Sequence, residues 1–481
     1  MKDTRRFGCY AKNFKRIIPA LFGIDYRAIK AFRVGLALLV LGDLCERSAN
    51  IEAFYTDSGV LPRALLRLPS LRFSIHALVG GSKGEWILFL FAALCALLFL
   101  LGIWSRVAAT ASWFLLASLD ARNPFVLNEG DTLLKILLFW SIFLPLSQEV
   151  PQEAAKKEGR YCSAFSAAVL IQVSLAYVFT ALLKTDPSWR ITGTAISAAL
   201  RLEHLTTSVG RALLEWTMTL RAATHFVYYL EMLGPFLVFL PWNNRRVREV
   251  TIAAFIAMHL GIAVTMNVGL FPWVSIVGWI PFIPSETLDA FQGAITAGRS
   301  QAPHSPTLTE APSLRSGILV QALVFCLLAD VIAWNVRGLN GRMDDEKLHL
   351  YDIPLRLVQL DQQWFMFAPR PSDIVGWYVA EAALNDGSLV DIMNGGESVS
   401  RERPQFISQR YIDFRWRKFL IDLQRPQLEK CRQPLAVYLK NSWDRQHPPP
   451  RRIQRLTVYF VWVRVSSAGA TSPEAREVAR Y

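Results

Sequence analysis

Long apolar runs separated by short charged connectors dominate the chain up to residue 335. The clearest run lies between Trp86 and Trp104, with a tryptophan at each end, where interfacial aromatic residues are typically found. About 20 apolar residues are needed to cross the hydrocarbon core of a bilayer. The pattern therefore predicts a polytopic α-helical membrane protein with eight or nine transmembrane helices.

The predicted spans share an apolar run of membrane length, or slightly less, with polar or basic flanks. They cover 29–44, 86–104, 107–119, 133–146, 164–183, 226–240, 251–268, 274–282 and 316–334. The run 274–282 is short for a span, so the predicted count is eight or nine. Residues 190–221 instead carry apolar positions at helical spacing among arginines, which predicts one or two amphipathic helices on the membrane surface.

The composition after residue 335 is that of a soluble domain, predicted to be α+β or β-rich. Residues 377–384 and 388–393 alternate around Asn385-Asp386-Gly387, a hairpin turn signal. Residues 435–439 and 455–465 are predicted as strands, and 416–423 as a helix. The resulting division is a basic N-terminus at 1–24, a transmembrane domain at 25–335 and a soluble domain at 336–481.

Charge adds an orientation to this layout. The chain has a net charge of +13, and the first residues are crowded with basic side chains, Lys2, Arg5, Arg6, Lys12, Lys15 and Arg16. Basic segments remain on the cytoplasmic side and face anionic lipid. Nine spans then predict a multi-pass protein of the plasma (inner) membrane, with a cytoplasmic N-terminus and an extracytoplasmic C-terminal domain.

Composition also argues against several classes of function. No separate basic domain interleaved with aromatic residues accompanies the N-terminal cluster, so no nucleic-acid partner is predicted. The six cysteines and seven histidines are scattered without metal-ligand spacing, so no metal site and no disulfide framework are predicted. No glycine-rich phosphate loop is present in the sequence.

A lysine at the end of an apolar run is the strongest candidate for chemistry. Lys184 follows the run 164–183 directly and precedes Asp186, Pro187 and Trp189. The lysine could extend its ammonium to the interface, as lysines near helix ends commonly do. It could instead be desolvated enough to lose its proton and act as a base. Position alone leaves both interpretations open.

Four further ionisable residues within apolar runs leave similar alternatives. Glu231 is either part of a functional site or a helix–helix hydrogen bond, and His259 is either packed or catalytic. Arg33 and Asp43, near the two ends of the first run, either lie at interfaces or face the bundle as candidates for structural charged pairs.

In order and spacing, these features resemble the vitamin K-dependent gamma-carboxylase-like membrane proteins, also called HTTM-domain proteins. The resemblance extends from about Asp25 to Val465. It depends on Phe32-Arg33 with Asp43 and Arg47, on Lys184 with Trp189, Gly193 and His204, on His259 with Gly269-Leu-Phe-Pro-Trp273, and on Trp364-Phe-Met-Phe367.

The resemblance implies a specific chemistry. Lys184 would deprotonate a reduced quinone, similar to vitamin K hydroquinone. In that family oxygen then adds, the base so formed removes a proton from the γ-carbon of a peptide glutamate, and carbon dioxide traps the carbanion. A peptide or secreted-protein substrate and membrane lipid would be the partners. The candidates for the quinone and substrate site are Trp189, His204, Glu231, His259, Asn267, Asn128 and Glu129.

One departure from the family keeps a second hypothesis open. The loop that carries a supporting histidine in animal carboxylases contains Asn128-Glu129-Gly130-Asp131 here. A carboxylate near Lys184 would favour the charged ammonium and oppose the neutral base. The alternative is a non-catalytic protein that binds a lipid or a partner in the export or handling of a secreted peptide, with Lys184 paired to an acid such as Glu231. A transporter is less favoured, because the hydropathy shows no inverted repeat.

Overall fold

The computed structural model describes residues 17–66, 71–146, 159–295, 317–339, 349–466 and 469–481. The N-terminal basic cluster lies outside these ranges. Residues 284–315 are rich in Pro, Ser, Thr and Ala, a composition that predicts a flexible loop. Most of this segment also lies outside the described ranges, and its described part, Ser285–Ile295, is a helix.

Helices dominate the described chain up to residue 339. They are α1 (Tyr26–Ser48), α2 (Ile51–Tyr55), α3 (Ser82–Leu101), α4 (Ser105–Arg122), α5 (Glu129–Ser141), α6 (Ala164–Leu183), α7 (Pro187–Arg190), α8 (Ala195–Leu200), α9 (Ser208–Ala212), α10 (Thr217–Leu237), α11 (Asn244–Thr265), α12 (Phe271–Trp279), α13 (Ser285–Ile295) and α14 (Ile318–Leu339). The region 190–221, predicted as one or two amphipathic helices, holds the two short helices α8 and α9 and the first residues of α10.

Four of these helices are long and apolar enough to cross a membrane: α3, α6, α11 and α14. Their surroundings differ, because α6 is 67% buried over its most apolar window whereas α3, α11 and α14 are 28–33% buried. The exposed apolar faces of α3 and α14 are typical of lipid-facing helices. In contrast, α6 packs against α5, α10 and α14 and lies at the centre of the bundle.

The C-terminal region is a β-rich domain with helices. Its helices are α15 (Ile353–Leu357), α16 (Phe414–Asp422) and α17 (Arg432–Gln446), and its strands are β3 (Ile374–Leu384), β4 (Leu389–Asp391), β5 (Glu397–Ser398), β6 (Ile453–Ser466), β7 (Gly469–Ala470) and β8 (Glu474–Arg480). The strands β1 (Ile24–Asp25) and β2 (Arg160–Tyr161) belong to the preceding part of the chain, where they form a short separate pair. The main sheet is antiparallel, in the order β5-β4-β3-β6-β7, with β8 also paired to β6.

The hairpin and one strand of this domain were predicted correctly, and one strand was not. The turn Asn385-Asp386-Gly387 joins β3 to β4, and β6 covers the predicted strand 455–465. Residues 435–439, predicted as a strand, lie within the helix α17. A short apolar run is compatible with either structure. In α17 the residues Leu435, Ala436 and Trp443 recur at helical spacing and are buried.

A group of buried charges joins the C-terminal domain to the helical bundle. Three cations and three carboxylates, each no more than 6% exposed, form this buried charge cluster: Arg47, Lys135, Arg415, Asp43, Asp120 and Asp131. Five of them belong to α1, α4 and α5, whereas Arg415 comes from α16 of the C-terminal domain. The numbers of positive and negative groups match, as burial in a low dielectric requires.

Two arginines make most of the contacts within the cluster, and Lys135 Nζ lies 3.7 Å from Asp120. Arg47 Nε lies 2.8 Å from Asp43, and its Nη2 lies 2.9 Å from both Asp120 and Asp131. Arg415 Nη2 contacts Asp43 and lies 3.0 Å from Asp131, and its Nη1 donates to the Val126 carbonyl at 3.0 Å. Each carboxylate that faces α16 is therefore shared between one bundle arginine and one from the C-terminal domain.

Arg33 and Asp43 both face the interior of the protein, with exposures of 3% and 1%. They do not pair with each other. Ten positions separate them along α1, about 15 Å at the α-helical rise. Asp43 belongs to the charge cluster, whereas Arg33 lies near the opposite end of the helix.

Replacing Arg415 by Met should destabilise the protein by about 3–5 kcal/mol, because Asp43 and Asp131 would remain buried without this cation. Thermal or denaturant unfolding of the detergent-purified protein measures the change. Arg480→Ala is the control, because Arg480 and its partner Glu477 are 64% and 42% exposed. An exposed pair contributes up to about 1 kcal/mol. Equal unfolding curves for Arg415→Met and the unmodified protein would contradict the role given to the cluster.

Candidate functional site

Lys184 is the residue that caps the C-terminal end of α6. The helix ends here because Pro187, at the first turn of α7, cannot continue the hydrogen-bond ladder. The Asp186 side chain caps α7 by accepting from Ser188 N at 2.8 Å. The Lys184 carbonyl accepts from Arg190 Nε at 3.0 Å, which fixes the turn. Local sequence thus places Lys184 at a sharp helix–turn–helix corner.

The Lys184 side chain is turned into the protein and is only 3% exposed. An ammonium that reached the lipid headgroups would be solvated, so the interpretation of Lys184 as an interfacial lysine is wrong. Its Nζ forms an ion pair with the Glu231 carboxylate of α10, which is itself 5% exposed. The pairing of Lys184 with an internal acid, expected under the non-catalytic hypothesis, is therefore present.

Trp189 closes one side of this ion pair. The Lys184 Nζ lies 4.2 Å from the centroid of the Trp189 ring, a cation–π distance. The indole Nε1 donates to the Phe367 carbonyl at 3.2 Å. Phe367 belongs to the Trp364-Phe-Met-Phe367 segment, so a connection leading to the C-terminal domain holds the tryptophan in place.

His259 lies in a second polar group of the same bundle. Its Nε2 is 2.7 Å from the Tyr177 hydroxyl, which also accepts from Trp279 Nε1 at 3.0 Å. His259 is 1% exposed, and its Nδ1 has no hydrogen-bond partner among the described residues. The histidine is therefore packed, as one of the two interpretations expected, and yet retains one unused polar atom.

The two polar groups lie on neighbouring helices of the bundle, because Tyr177 and Lys184 belong to α6 and its C-terminal cap, Glu231 to α10 and His259 to α11. The helices α10 and α11 pack closely, since a Cβ at Gly234 would lie 2.7 Å from the Phe255 ring. We refer to Lys184, Trp189, Glu231, His259 and Tyr177 as the bundle site.

Tyr177 was not among the predicted site residues, although the sequence contained a signal for it. Position 177 lies in the apolar run, seven residues or about two helical turns before position 184, so a continuous helix would place both on one face. A hydroxyl on the face that leads to Lys184 is a candidate for the same site. The apolar composition of the run concealed it.

The other four predicted residues lie together at a different place, where the bundle meets α16. Asn128 caps α5, and its Nδ2 donates to the Val268 carbonyl at 3.1 Å. The preceding residue, Asn267, donates its main-chain N–H to the Leu205 carbonyl at 2.7 Å. Glu129 is half-buried, and the positive charge of Lys418 on α16 acts on its carboxyl group. These contacts give Asn128 and Asn267 a structural role in this junction.

Arg417 of α16 completes the junction, and the sequence gave no sign of it. Its guanidinium donates to the carbonyls of His204, at 3.2 Å, and Asn267. Burial lowers the pKa of Arg417 to about 10. Burial, together with the charge of Arg417, also lowers the pKa of His204 to about 3, so this imidazole is neutral at physiological pH.

A small cavity lies at the junction. Asp43, Asp131 and Arg415 contribute to its lining, together with Asn128, Gly130, Leu134, Leu270, Val274 and Phe414. It has room for about one water molecule, enough to hydrate the charge cluster. Within the described ranges, no group of three or more His, Cys, Asp or Glu side chains could hold a metal ion.

Comparison of the chain with family models, with curated proteins and with solved structures finds no match.

Replacing Glu231 by Gln should destabilise the protein by about 3–5 kcal/mol, because the Lys184 ammonium would remain buried without its carboxylate. The double variant Lys184→Met/Glu231→Leu, which removes both charges, should recover most of this loss. Unfolding of the detergent-purified proteins measures both effects. A loss below about 1 kcal/mol in Glu231→Gln, typical of exposed pairs, would show that Glu231 does not hold Lys184.

His204 should make the stability of the protein fall at acidic pH. Its folded-state pKa of about 3 is below the ordinary value of 6.5, so protons bind the unfolded chain first as the pH falls. The stability is complete above about pH 6.5 and is lost progressively down to about pH 3. Between pH 7 and pH 5 the unmodified protein should lose about 2 kcal/mol more than His204→Gln. Parallel pH profiles of unfolding for the two proteins would refute this.

Proposed function

We propose that the chain is an integral plasma-membrane protein of eight or nine spans, similar to the vitamin K-dependent gamma-carboxylase-like proteins. Four helices long and apolar enough to cross a membrane support the coarse part of this proposal. The N-terminus is cytoplasmic and the C-terminal domain extracytoplasmic in this arrangement. The apolar helix α12 with its continuation to Phe282 is the segment on which the ninth span depends.

We propose further that the bundle site is the catalytic centre of an enzyme that oxidises a reduced quinone and carboxylates, or otherwise modifies, a peptide glutamate. The observation that carries this proposal is the buried Lys184–Glu231 pair next to Trp189. Ionisable groups inside a membrane bundle are costly and are retained mainly for function. Lys184 is the base in this proposal, and Glu231 is its proton partner.

The pairing with Glu231 gives Lys184 a route to its neutral form. In a low dielectric, transfer of one proton from Nζ to the carboxylate converts two buried charges into two neutral groups. The neutral amine can then accept a proton from an acidic hydroxyl. The Glu231 carboxylate therefore has two effects: it stabilises the charged form of Lys184, and it also accepts the proton when Lys184 becomes neutral. Two strongly interacting groups of this kind titrate as one unit.

A reduced quinone is a small aromatic diol, and one of its hydroxyls would bind a polar atom left unused in the bundle site. His259 Nδ1 is buried without a partner among the described residues, and the Trp189 ring lies 4.2 Å from Lys184 Nζ. A reduced quinone would supply the acidic hydroxyl and the chemistry with oxygen. The contribution of the chain is to take up the proton at Lys184 Nζ and to exclude water with the Trp189 ring.

A non-catalytic role is the second candidate function. In it, the bundle binds a lipid or a partner in the export or handling of a secreted peptide, and the Lys184–Glu231 pair only fixes α6 against α10. The same ion pair supports this alternative, since a buried pair of this kind also specifies how two helices pack.

Oxygen uptake by the purified protein with a reduced naphthoquinone tests the catalytic proposal. We expect uptake by the unmodified protein and none by Lys184→Ala. Lys184→Arg should also be inactive, because an arginine can pair with Glu231 but does not lose its proton. Lys30→Ala is the matched control, since it removes an exposed lysine from α1 and should leave uptake unchanged.

Two outcomes would overturn the catalytic proposal. Uptake that persists in Lys184→Ala would show that the lysine is not the base. No uptake by the unmodified protein, with and without a glutamate-rich peptide, would favour the non-catalytic role. In that case Lys184→Arg should retain the stability of the unmodified protein, whereas Lys184→Ala should lose stability because Glu231 stays buried alone.

A further inference from the structure

Arg33 is a buried cation that neither the charge cluster nor the bundle site uses. It lies in the second turn of α1 and is 3% exposed. Its Nε and Nη1 atoms are buried without a hydrogen-bond partner, and it forms no ion pair with the residues that the structure describes. A buried guanidinium without a partner is costly, so a ligand that supplies the missing acceptors would be bound favourably.

The Arg33 guanidinium occupies a notch beside the end of α3. Gly102 follows that helix with a φ of +77°, and a Cβ at this position would lie 1.8 Å from Arg33 Nη1. Only glycine therefore provides both the left-handed turn and the space for the arginine. The negative end of the α3 dipole offsets part of the arginine charge. The Phe99 and Leu98 carbonyls of α3 accept from Gly102 and Ile103, and Arg33 Nε and Nη1 have no acceptor among the described residues.

The surface around this notch is apolar and carries one more cation. The side chains of Leu101, Ile103, Trp104 and Val107 are 53%, 46%, 76% and 69% exposed. Arg106 is also exposed. Because α3 is long and apolar enough to span a membrane and ends at Leu101, the notch lies at the level where a bilayer surface would be. A tryptophan at this level is typical of the membrane interface.

We propose that Arg33 binds the phosphate group of an anionic phospholipid whose acyl chains lie along the apolar surface of Leu101, Ile103 and Val107. The planar guanidinium matches phosphate oxygens in charge and geometry. Basic pockets between membrane helices bind anionic headgroups in this way. The exposed apolar side chains around the notch favour a lipid over free phosphate, because they provide a surface for hydrocarbon. This inference is independent of the catalytic proposal.

Native mass spectrometry of the detergent-purified protein, titrated with phosphatidylglycerol, phosphatidylcholine or inorganic phosphate, tests the site. We expect the unmodified protein to prefer phosphatidylglycerol over phosphatidylcholine. Arg33→Gln should weaken phosphatidylglycerol binding about tenfold or more, since it removes charge-assisted hydrogen bonds. Arg33→Lys, which keeps the charge but not the planar fork, should show an intermediate loss. It also serves as the test variant if Arg33→Gln does not fold, as judged by size-exclusion chromatography.

Arg106→Gln is the matched control, because it removes an exposed cation from the same connector. It should weaken binding much less than Arg33→Gln. Equal losses in the two variants would mean general attraction to a basic surface and would overturn the proposal. Equal affinity for the two phospholipids, or unchanged phosphatidylglycerol binding in Arg33→Gln, would also overturn it. Displacement of the lipid by inorganic phosphate at similar concentration would identify a free-anion site instead.

Discussion

Burial of charge is the constraint on which this structure depends. An arginine or a carboxylate inside an apolar bundle is tolerated only when another group offsets the cost of removing it from water. Arg47 meets that condition by contacting three carboxylates from three helices, and Arg415 brings a second guanidinium from the C-terminal domain to two of the same carboxylates. The position of the C-terminal domain is thus set by charge balance as well as by apolar packing. The domain behaves as part of the bundle and not as an appendage joined by a linker.

The bundle site follows the same rule with fewer groups. Lys184 and Glu231 neutralise each other, and α6, the most buried of the four apolar helices, holds them away from solvent. Trp189 lies over the ammonium and is itself anchored by the Phe367 carbonyl. A pair in such surroundings can exist as two charges or as two neutral groups. That property makes it suitable for proton transfer, and it also makes the pair a specific link between α6 and α10.

The predicted site residues divide into two sets with different physical roles. Lys184 and its neighbours face the interior of the bundle, where unpaired polar capacity remains at His259. Asn128 and Asn267 lie at the junction with α16 and are committed to caps and main-chain contacts. Arg417 holds that junction by binding two carbonyls of the bundle. Sequence order brought both sets together as one candidate site, although in space they lie apart. Within the described residues each set keeps one buried imidazole nitrogen without a hydrogen-bond partner, at His259 in the first set and at His204 in the second.

The sequence by itself determined the apolar helices, the change of composition after residue 335 and the hairpin at Asn385-Asp386-Gly387, because each depends on local periodicity and turn chemistry. It also identified Lys184 as unusual. Only the tertiary structure decided where the charges go. Lys184 meets an acid 47 residues away, and Arg415 meets Asp43 across 372 residues. A lysine at a helix end can reach water or an acid. Which of the two it reaches depends on the direction of the following turn and on the neighbouring helix, and the apolar run before the lysine determines neither. The same reason explains the error at 435–439, where packing against the sheet, not the short local pattern, selected a helix.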